Sequence, residues 1–333
     1  MKESVVSKGF IDLQINGYAG IDFTDPETSV DEVLKVADIL ADQGTVGFLA
    51  TITTSPREEI EHCVDTLSKA INKQGNDRHI LGIHLEGPYI SSEYGYRGIH
   101  PERSISLPDL TWFQQLQKIS DNNIRIVTIA PELEGALEFI QAVSPDVITS
   151  VGHTNCPFTI INQAVNAGLS LATHVGNGCK QNIDRHNNPI VNIIGCSEIG
   201  LCFIPDGFHL PEAFIRMIIN CRPIEKLYVI SDAVKYAGLP ANVYEMHDGT
   251  QISLAEDGKL TLLSDPNILA GSTSNMIKCM NNLAALNVFT ESELFRIGYF
   301  NQIALLNLDP NVYYLDKTRL VFDSFSKQFI NIV

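Results

Sequence analysis

ILGIHLEGP, residues 80–88, is apolar across six positions save for His84, and then ends in a carboxylate followed by Gly87-Pro88. A run this apolar has no wet face, so it reads as a strand covered on both sides, the setting of a parallel sheet flanked by helices. The same texture recurs outward in both directions, at residues 10–16, 46–52, 124–130, 147–152, 169–174, 201–205 and 227–231. Between these runs lie amphipathic stretches at 30–42, 57–73, 110–120, 158–167 and 212–221. In SVDEVLKVADILADQG (29–44) apolar residues recur at helical spacing and Gly44 supplies the stop. About eight β-then-α units in succession predict an α/β fold, a parallel (β/α)8 TIM-like barrel. The rival architecture, an open doubly wound sheet, lacks its signature: no G-x-G-x-x-G follows the first run.

Past the eighth run the pattern changes. GTQISLAEDGKLTLL (249–263) alternates apolar and polar residues around Asp257-Gly258, a hairpin signal. Two helical stretches follow near 275–287 and 292–306. The tail from 311 to 333 reads as two or three strands, with residues 4–8 as a candidate partner.

The 333 residues carry 23 Lys plus Arg against 39 Asp plus Glu, so 23 − 39 leaves a net charge of −16. That balance argues against a nucleic-acid partner, whose phosphates would be repelled. A hydrophobic share of 44% with 19% charged residues is that of an ordinary globular chain. No run reaches the roughly 18 consecutive apolar residues of a membrane span; the longest, 191–205, is interrupted by Asn192, Ser197 and Glu198. MKESVVSKGF at the start has no apolar core of a secretory leader. Seven cysteines, an odd number with no C-x-x-C pair, suit reduced thiols in the cytoplasm better than a disulfide framework.

In a (β/α)8 barrel the reactive groups sit at the carboxyl ends of the strands, on one rim. The third run ends in Glu86, the fifth in Gly152-His153-Thr154-Asn155, the sixth in Thr173-His174 and the eighth in Ser231-Asp232-Ala233. Two imidazoles and a carboxylate are the protein ligands of a catalytic zinc, which keeps a further position open for water. The spacing 174 − 153 = 21 is one βα repeat, which puts the two histidines on neighbouring strands. Asp232 is then free to handle a proton. Gln14 and Asn16 stand where many metal hydrolases on this fold carry H-x-H, and amides are weak zinc ligands, which favours one ion over two. Each residue also has a plainer reading: a satisfied rim histidine, a turn cap at Glu86, a helix cap at Asp232. Their joint placement on four strand ends weighs against four coincidences. Cys156 and Cys179 flank the histidines, but Cys156 leads into a helix start at Pro157 and reads as packing.

The residues FIDLQINGYAGIDF (10–23), HLEGPYIS (84–91), RGIHP (97–101), VGHTN (151–155), ATHVGNG (172–178), IPDGFHL (204–210), ISDAV (230–234) and LAGS (269–272) follow one another in a familiar order. In these the chain resembles the N-acetylglucosamine-6-phosphate deacetylases of the amidohydrolase superfamily, from about Gly9 to the last helix. The resemblance implies a barrel of the metal-dependent hydrolase type over residues 9–309, and a small β-domain reduced to residues 1–8 and 310–333. It makes Glu86, His153 and His174 the ligands of one divalent ion, zinc, and Asp232 the acid/base. His100 matches the histidine that contacts the N-acetyl carbonyl, His209 the one that contacts the sugar. Asn177 and Gly178 match an Asn-Ala pair that holds the sugar phosphate. Arg185 matches an arginine lent to that phosphate by a neighbouring subunit, which implies a homodimer. Val175-Gly176-Asn177-Gly178-Cys179 departs from the family's Leu-Phe-Asn-Ala-Met, and the extra glycine loosens that loop.

The expected reaction is hydrolysis of the N-acetyl group of N-acetylglucosamine 6-phosphate. The rivals are deacylation of another N-acyl amino sugar, such as N-acetylgalactosamine 6-phosphate, or of an N-acyl amino acid, and a non-catalytic sugar-phosphate-binding barrel. Lys180, Arg185 and His186 form a basic cluster in one loop. Such a cluster is often just a solvated surface; its place beside Asn177 suits a phosphate.

Overall fold

The computed structural model describes residues 6–7, 9–75, 79–309 and 319–332. Eight strands pair in parallel in sequence order: β1 (Phe10–Ile15), β2 (Thr45–Thr53), β3 (Ile80–Glu86), β4 (Ile124–Ile129), β5 (Ile148–Val151), β6 (Leu171–Ala172), β7 (Gly200–Phe203) and β8 (Leu227–Val229). Every residue of β1 and of β3 is buried, as their unbroken apolar texture requires. The ring meets itself past the ends of β1 and β8, where Ile15 forms a parallel bridge with Ala233 and Asn16 N–H donates to Ala233 O at 2.8 Å.

Helices α1 (Val30–Asp42), α2 (Arg57–Lys73), α3 (Leu110–Ile119), α4 (Ala136–Val143), α5 (Phe158–Ala167), α6 (Pro189–Ile194) and α7 (Glu212–Cys221) each follow one strand. Their starts are set locally. Ser29 and Glu32 cap α1 reciprocally, while the side chains of Asp109 and Asn188 accept the first free amides of α3 and α6. The apolar side chains form two layers. Phe48, Ile83, Leu85, Val127 and Phe203 face the helices; Ile11, Leu13, Leu49, Ile126 and Ile230 fill the barrel. Tyr299, Ile303 and Leu306 of the final helical stretch join the inner layer. Asn301 Nδ2 there donates to Leu227 O at the start of β8, so that stretch closes the end of the barrel opposite the candidate site.

The eighth unit departs from the simple repeat. Its helix, α8 (Met276–Ala285), comes only after a three-stranded antiparallel sheet of β9 (Asn242–Glu245), β10 (Gln251–Leu254) and β11 (Leu260–Leu262). The hairpin around Asp257-Gly258 is where the sequence puts it; β9 is a largely exposed strand that the alternation did not flag. Asp232 therefore caps no helix, and Asn275 is the cap of α8. A separate sheet joins Val6–Ser7 to β12 (Arg319–Asp323), which pairs with β13 (Gln328–Ile332). Phe329 packs edge-on against Phe10, docking this sheet on the first barrel strand. Of the two terminal segments expected outside the barrel, residues 1–5, 8, 310–318 and 333 lie outside the described residues. No helix among the described residues is long and apolar enough to cross a membrane.

Candidate active site

Glu86 is the last residue of β3, and His153, His174 and Asp232 follow β5, β6 and β8. Glu86, His153 and His174 are buried, and Asp232 is partly buried. His153, His174 and Asp232 hold φ values of 49°, 29° and 52°. A left-handed backbone costs a non-glycine residue roughly 1–2 kcal/mol, and three such turns at one rim are strain that the surrounding fold sustains. The turns aim the side chains inward. Glu86 Oε1 lies 2.9 Å from His174 Nε2 and 3.2 Å from His153 Nε2, and the two Nε2 atoms are 3.1 Å apart.

The donor chemistry tests whether a metal fits. His153 Nδ1 is 2.8 Å from Tyr96 O, which can only accept, so the ring proton sits on Nδ1 and Nε2 presents a lone pair. Glu86 Oε1 also presents lone pairs. Around a zinc with bonds of about 2.0–2.1 Å, neighbouring ligand atoms stand roughly 3.3 Å apart, close to the separations found here. His174 Nδ1 is buried without a partner among the described residues, so its ring is oriented through Nε2 alone. The residues fit a small divalent cation. His100 makes a looser set, with one nitrogen within 4.8 Å of donor atoms of Glu86 and His153. However, His100 Nδ1 faces Thr54 Oγ1 at 2.8 Å and accepts from Thr54 N at 3.4 Å. That leaves the His100 proton on Nε2, where it donates rather than ligates.

Burial alone would raise Glu86, but the neighbouring imidazoles of His153 and His174 outweigh it and hold the carboxyl well below the usual carboxylate range. Asp232 goes the other way. Burial, with the Glu86 charge adding to it, pushes it up to about 6 against the opposing pull of His174, an Asn16 hydrogen bond and His209. Burial, helped by His153, drives His100 down to about 3, so it is neutral.

The remaining expected residues lie on the same rim. Gly178 (φ 59°) is pressed against the two histidines; a Cβ there would stand 3.0 Å from His153 Nδ1 and 3.2 Å from His174 Cε1. Asn177 N donates to His174 O at 2.9 Å, and its Nδ2 is buried without a partner among the described residues. His209 Nδ1 is 2.7 Å from Asp206 Oδ2, while Asp206 Oδ1 accepts the amides of Phe208 and His209. Arg185 is exposed and makes no ion pair among the described residues, and Lys180 pairs with Glu93. Sequence reasoning missed Thr54, the Tyr96 carbonyl and Asp206. Only Asp206 left a trace, the D-x-x-H spacing that lets one carboxylate hold both a turn and an imidazole.

No family model matches the chain. It is 33% identical over 304 residues to N-acetylglucosamine-6-phosphate deacetylase of Mus musculus, covering 87% of this chain and 72% of that protein. It is 31% identical over 313 residues to the enzyme of that name from Bacillus subtilis (strain 168), covering 90% and 77%. It matches the structure of a mutant N-acetyl-D-glucosamine-6-phosphate deacetylase from Mycobacterium smegmatis in complex with N-acetyl-D-glucosamine-6-phosphate, with a TM-score of 0.85 and 26% identity over 97% of this chain and 84% of that one. With a third of its residues shared over most of the mouse protein, and the barrel in common, the chain belongs to the N-acetylglucosamine-6-phosphate deacetylase family of the amidohydrolase superfamily.

Proposed function

We propose that this chain hydrolyses the N-acetyl group of N-acetylglucosamine 6-phosphate to glucosamine 6-phosphate and acetate. One observation carries the reading: in a chain of this family, Glu86 Oε1, His153 Nε2 and His174 Nε2 converge within 3.2 Å of one another at the rim that also carries a partly buried Asp232. These three residues would hold one divalent ion, zinc by the character of the donors, and that ion supplies Lewis-acid polarisation of the amide carbonyl and of water.

The rest belongs to the chain. Asp232, with Oδ1 engaged by Asn16, keeps Oδ2 to take a proton from the attacking water and return it to the leaving amine. A carboxyl that titrates at about 6 is ionised enough at neutral pH for the first task and basic enough to carry the proton to the second. His100, neutral and held by Thr54, directs Nε2–H at the carbonyl oxygen as negative charge develops on it. His209, oriented by Asp206, meets the sugar. Asn177 and the Gly178 backbone face the sugar phosphate, completed by Arg185 of the partner subunit in a homodimer. The catalytic barrel lies within residues 9–309, and the small β-unit includes Val6–Ser7, Arg319–Asp323 and Gln328–Ile332. Free thiols at all seven cysteines suit a cytoplasmic setting.

The test is acetate release with metal analysis, across phosphorylated and unphosphorylated N-acetylhexosamines and an N-acyl amino acid. Preferred turnover of N-acetylglucosamine 6-phosphate by protein with one divalent ion per chain is the expected result. Preference for N-acetylgalactosamine 6-phosphate or an N-acyl amino acid overturns it, as does tight binding without acetate release from metal-loaded protein.

A further inference from the structure

Asn16 occupies a place where a histidine would serve as a metal ligand, and no role above is assigned to it. The residue is 9% exposed. Nδ2 donates to Asp232 Oδ1 at 2.7 Å across the seam between the first and eighth strands. The backbone ties the same two segments together: Ile15 bridges Ala233, and the amides of Asn16 and Gly17 donate to Ala233 O at 2.8 and 3.3 Å. The amide and the carboxylate are thus carried on segments fastened directly beside both residues. Asn16 Oδ1 is buried without a partner among the described residues, so the bond to Asp232 is what fixes the amide's orientation. When Asp232 is ionised that bond is charge-assisted, and stronger than one between neutral groups.

We infer that Asn16 is a positioning residue for the hydrolysis: its side-chain amide clamps Asp232 Oδ1 and thereby turns Oδ2 toward the reacting atoms. A carboxylate on a single free torsion presents either oxygen in many directions; one fixed oxygen leaves the other a narrow arc, which is what proton transfer to a defined atom requires. The inference rests on the reading of Asp232 as the acid/base. It differs from a ligand role, which would need Asn16 Oδ1 rather than Nδ2 to be the working end.

The experiment compares Asn16→Leu, close in volume but without a donor, Asn16→Ala, which leaves the backbone bridges in place, and Asp232→Asn. Each is prepared as metal-loaded full-length protein and assayed on N-acetylglucosamine 6-phosphate, with metal per chain and thermal unfolding measured beside kcat and KM. Asn16→Leu is expected to fold, to keep its metal, to lose about 10- to 100-fold in kcat, the scale of one hydrogen bond to a charged group, and to hold KM within about twofold. A kcat within about threefold of the parent in folded, metal-loaded protein overturns the proposal. So does a loss that tracks missing metal, which would make Asn16 a ligand, and so does failure of both Asn16 variants to fold, which would assign it to the barrel seam alone. Asp232→Asn separates the two levels. Surviving activity there sinks the acid/base reading, whereas an inactive Asp232→Asn beside a parent-like Asn16→Leu sinks only the inference about Asn16.

Discussion

The Tyr96 carbonyl sits 2.8 Å from His153 Nδ1 and so dictates which nitrogen of that ring faces Glu86. A loop from one strand end thereby sets the donor character of a residue on another, and His153 Nε2 presents its lone pair beside Glu86 and His174. Glu86→Gln keeps the shape and removes the charge that both imidazoles lean on. It is expected to carry little metal and to lose more than about 100-fold in acetate release, exceeding the 10- to 100-fold typical of residues that merely support ligands. Elemental analysis with the activity assay checks it; a fully metal-loaded, active Glu86→Gln would remove Glu86 from the donor set.

Asp232 acts as a base only when ionised, and its fold-imposed value is about 6. As pH falls through that value the active fraction drops, so kcat/KM is expected to decline about tenfold per pH unit well below it and to level off above. Asp232→Asn should abolish this limb and lower kcat by roughly 10²- to 10⁴-fold. A parent profile flat from pH 4.5 to 8 would contradict the assignment.

The barrel was legible because its strands are buried on both faces, as ILGIHL at 80–85 shows without reference to anything distant. Glu86, His153, His174 and Asp232 were legible for the same reason: each closes an apolar run, where a polar residue has no packing purpose. The turns that aim them were not. Nothing in a histidine or an aspartate announces a positive φ, and the strain at 153, 174 and 232 exists only because the ring imposes it. Nor were the supports legible. Thr54 follows β2 and serves His100, 46 residues away, through a juxtaposition that the barrel creates. Strand β9 escaped notice because its residues are mostly exposed and carry no clean alternation.

Thr54→Val tests that support. The change is nearly isosteric and removes the hydroxyl 2.8 Å from His100 Nδ1, leaving a buried ring nitrogen with only the weak 3.4 Å amide contact. The ring then loses its fixed direction. A fall of about tenfold in kcat with metal content unchanged is expected, at the lower end of what orienting partners contribute. Steady-state kinetics and metal analysis decide it, and an unchanged kcat would show that His100 needs no help from Thr54.

Asp12 sits inside the barrel, where Oδ2 accepts the Ser231 hydroxyl and Oδ1 the amides of Gln14 and Ser231. Burial lifts its carboxyl from 3.8 to about 7 despite those bonds. Between these two pH values the folded chain keeps a proton that the unfolded chain has released, so this group's contribution to stability declines as pH rises through the window. Asp12→Asn removes the titration at the cost of placing an amide donor opposite other donors, a penalty of about 1–3 kcal/mol that does not depend on pH. The variant should therefore be less stable than the parent near pH 4.5, and the gap should narrow as pH rises toward 7.5. Urea unfolding of both proteins at several pH values measures that gap. A constant difference would mean that Asp12 keeps an ordinary carboxyl in the fold, and that Ser231, one residue before the strained turn at Asp232, is held by a permanent charge rather than by a group that titrates near neutrality.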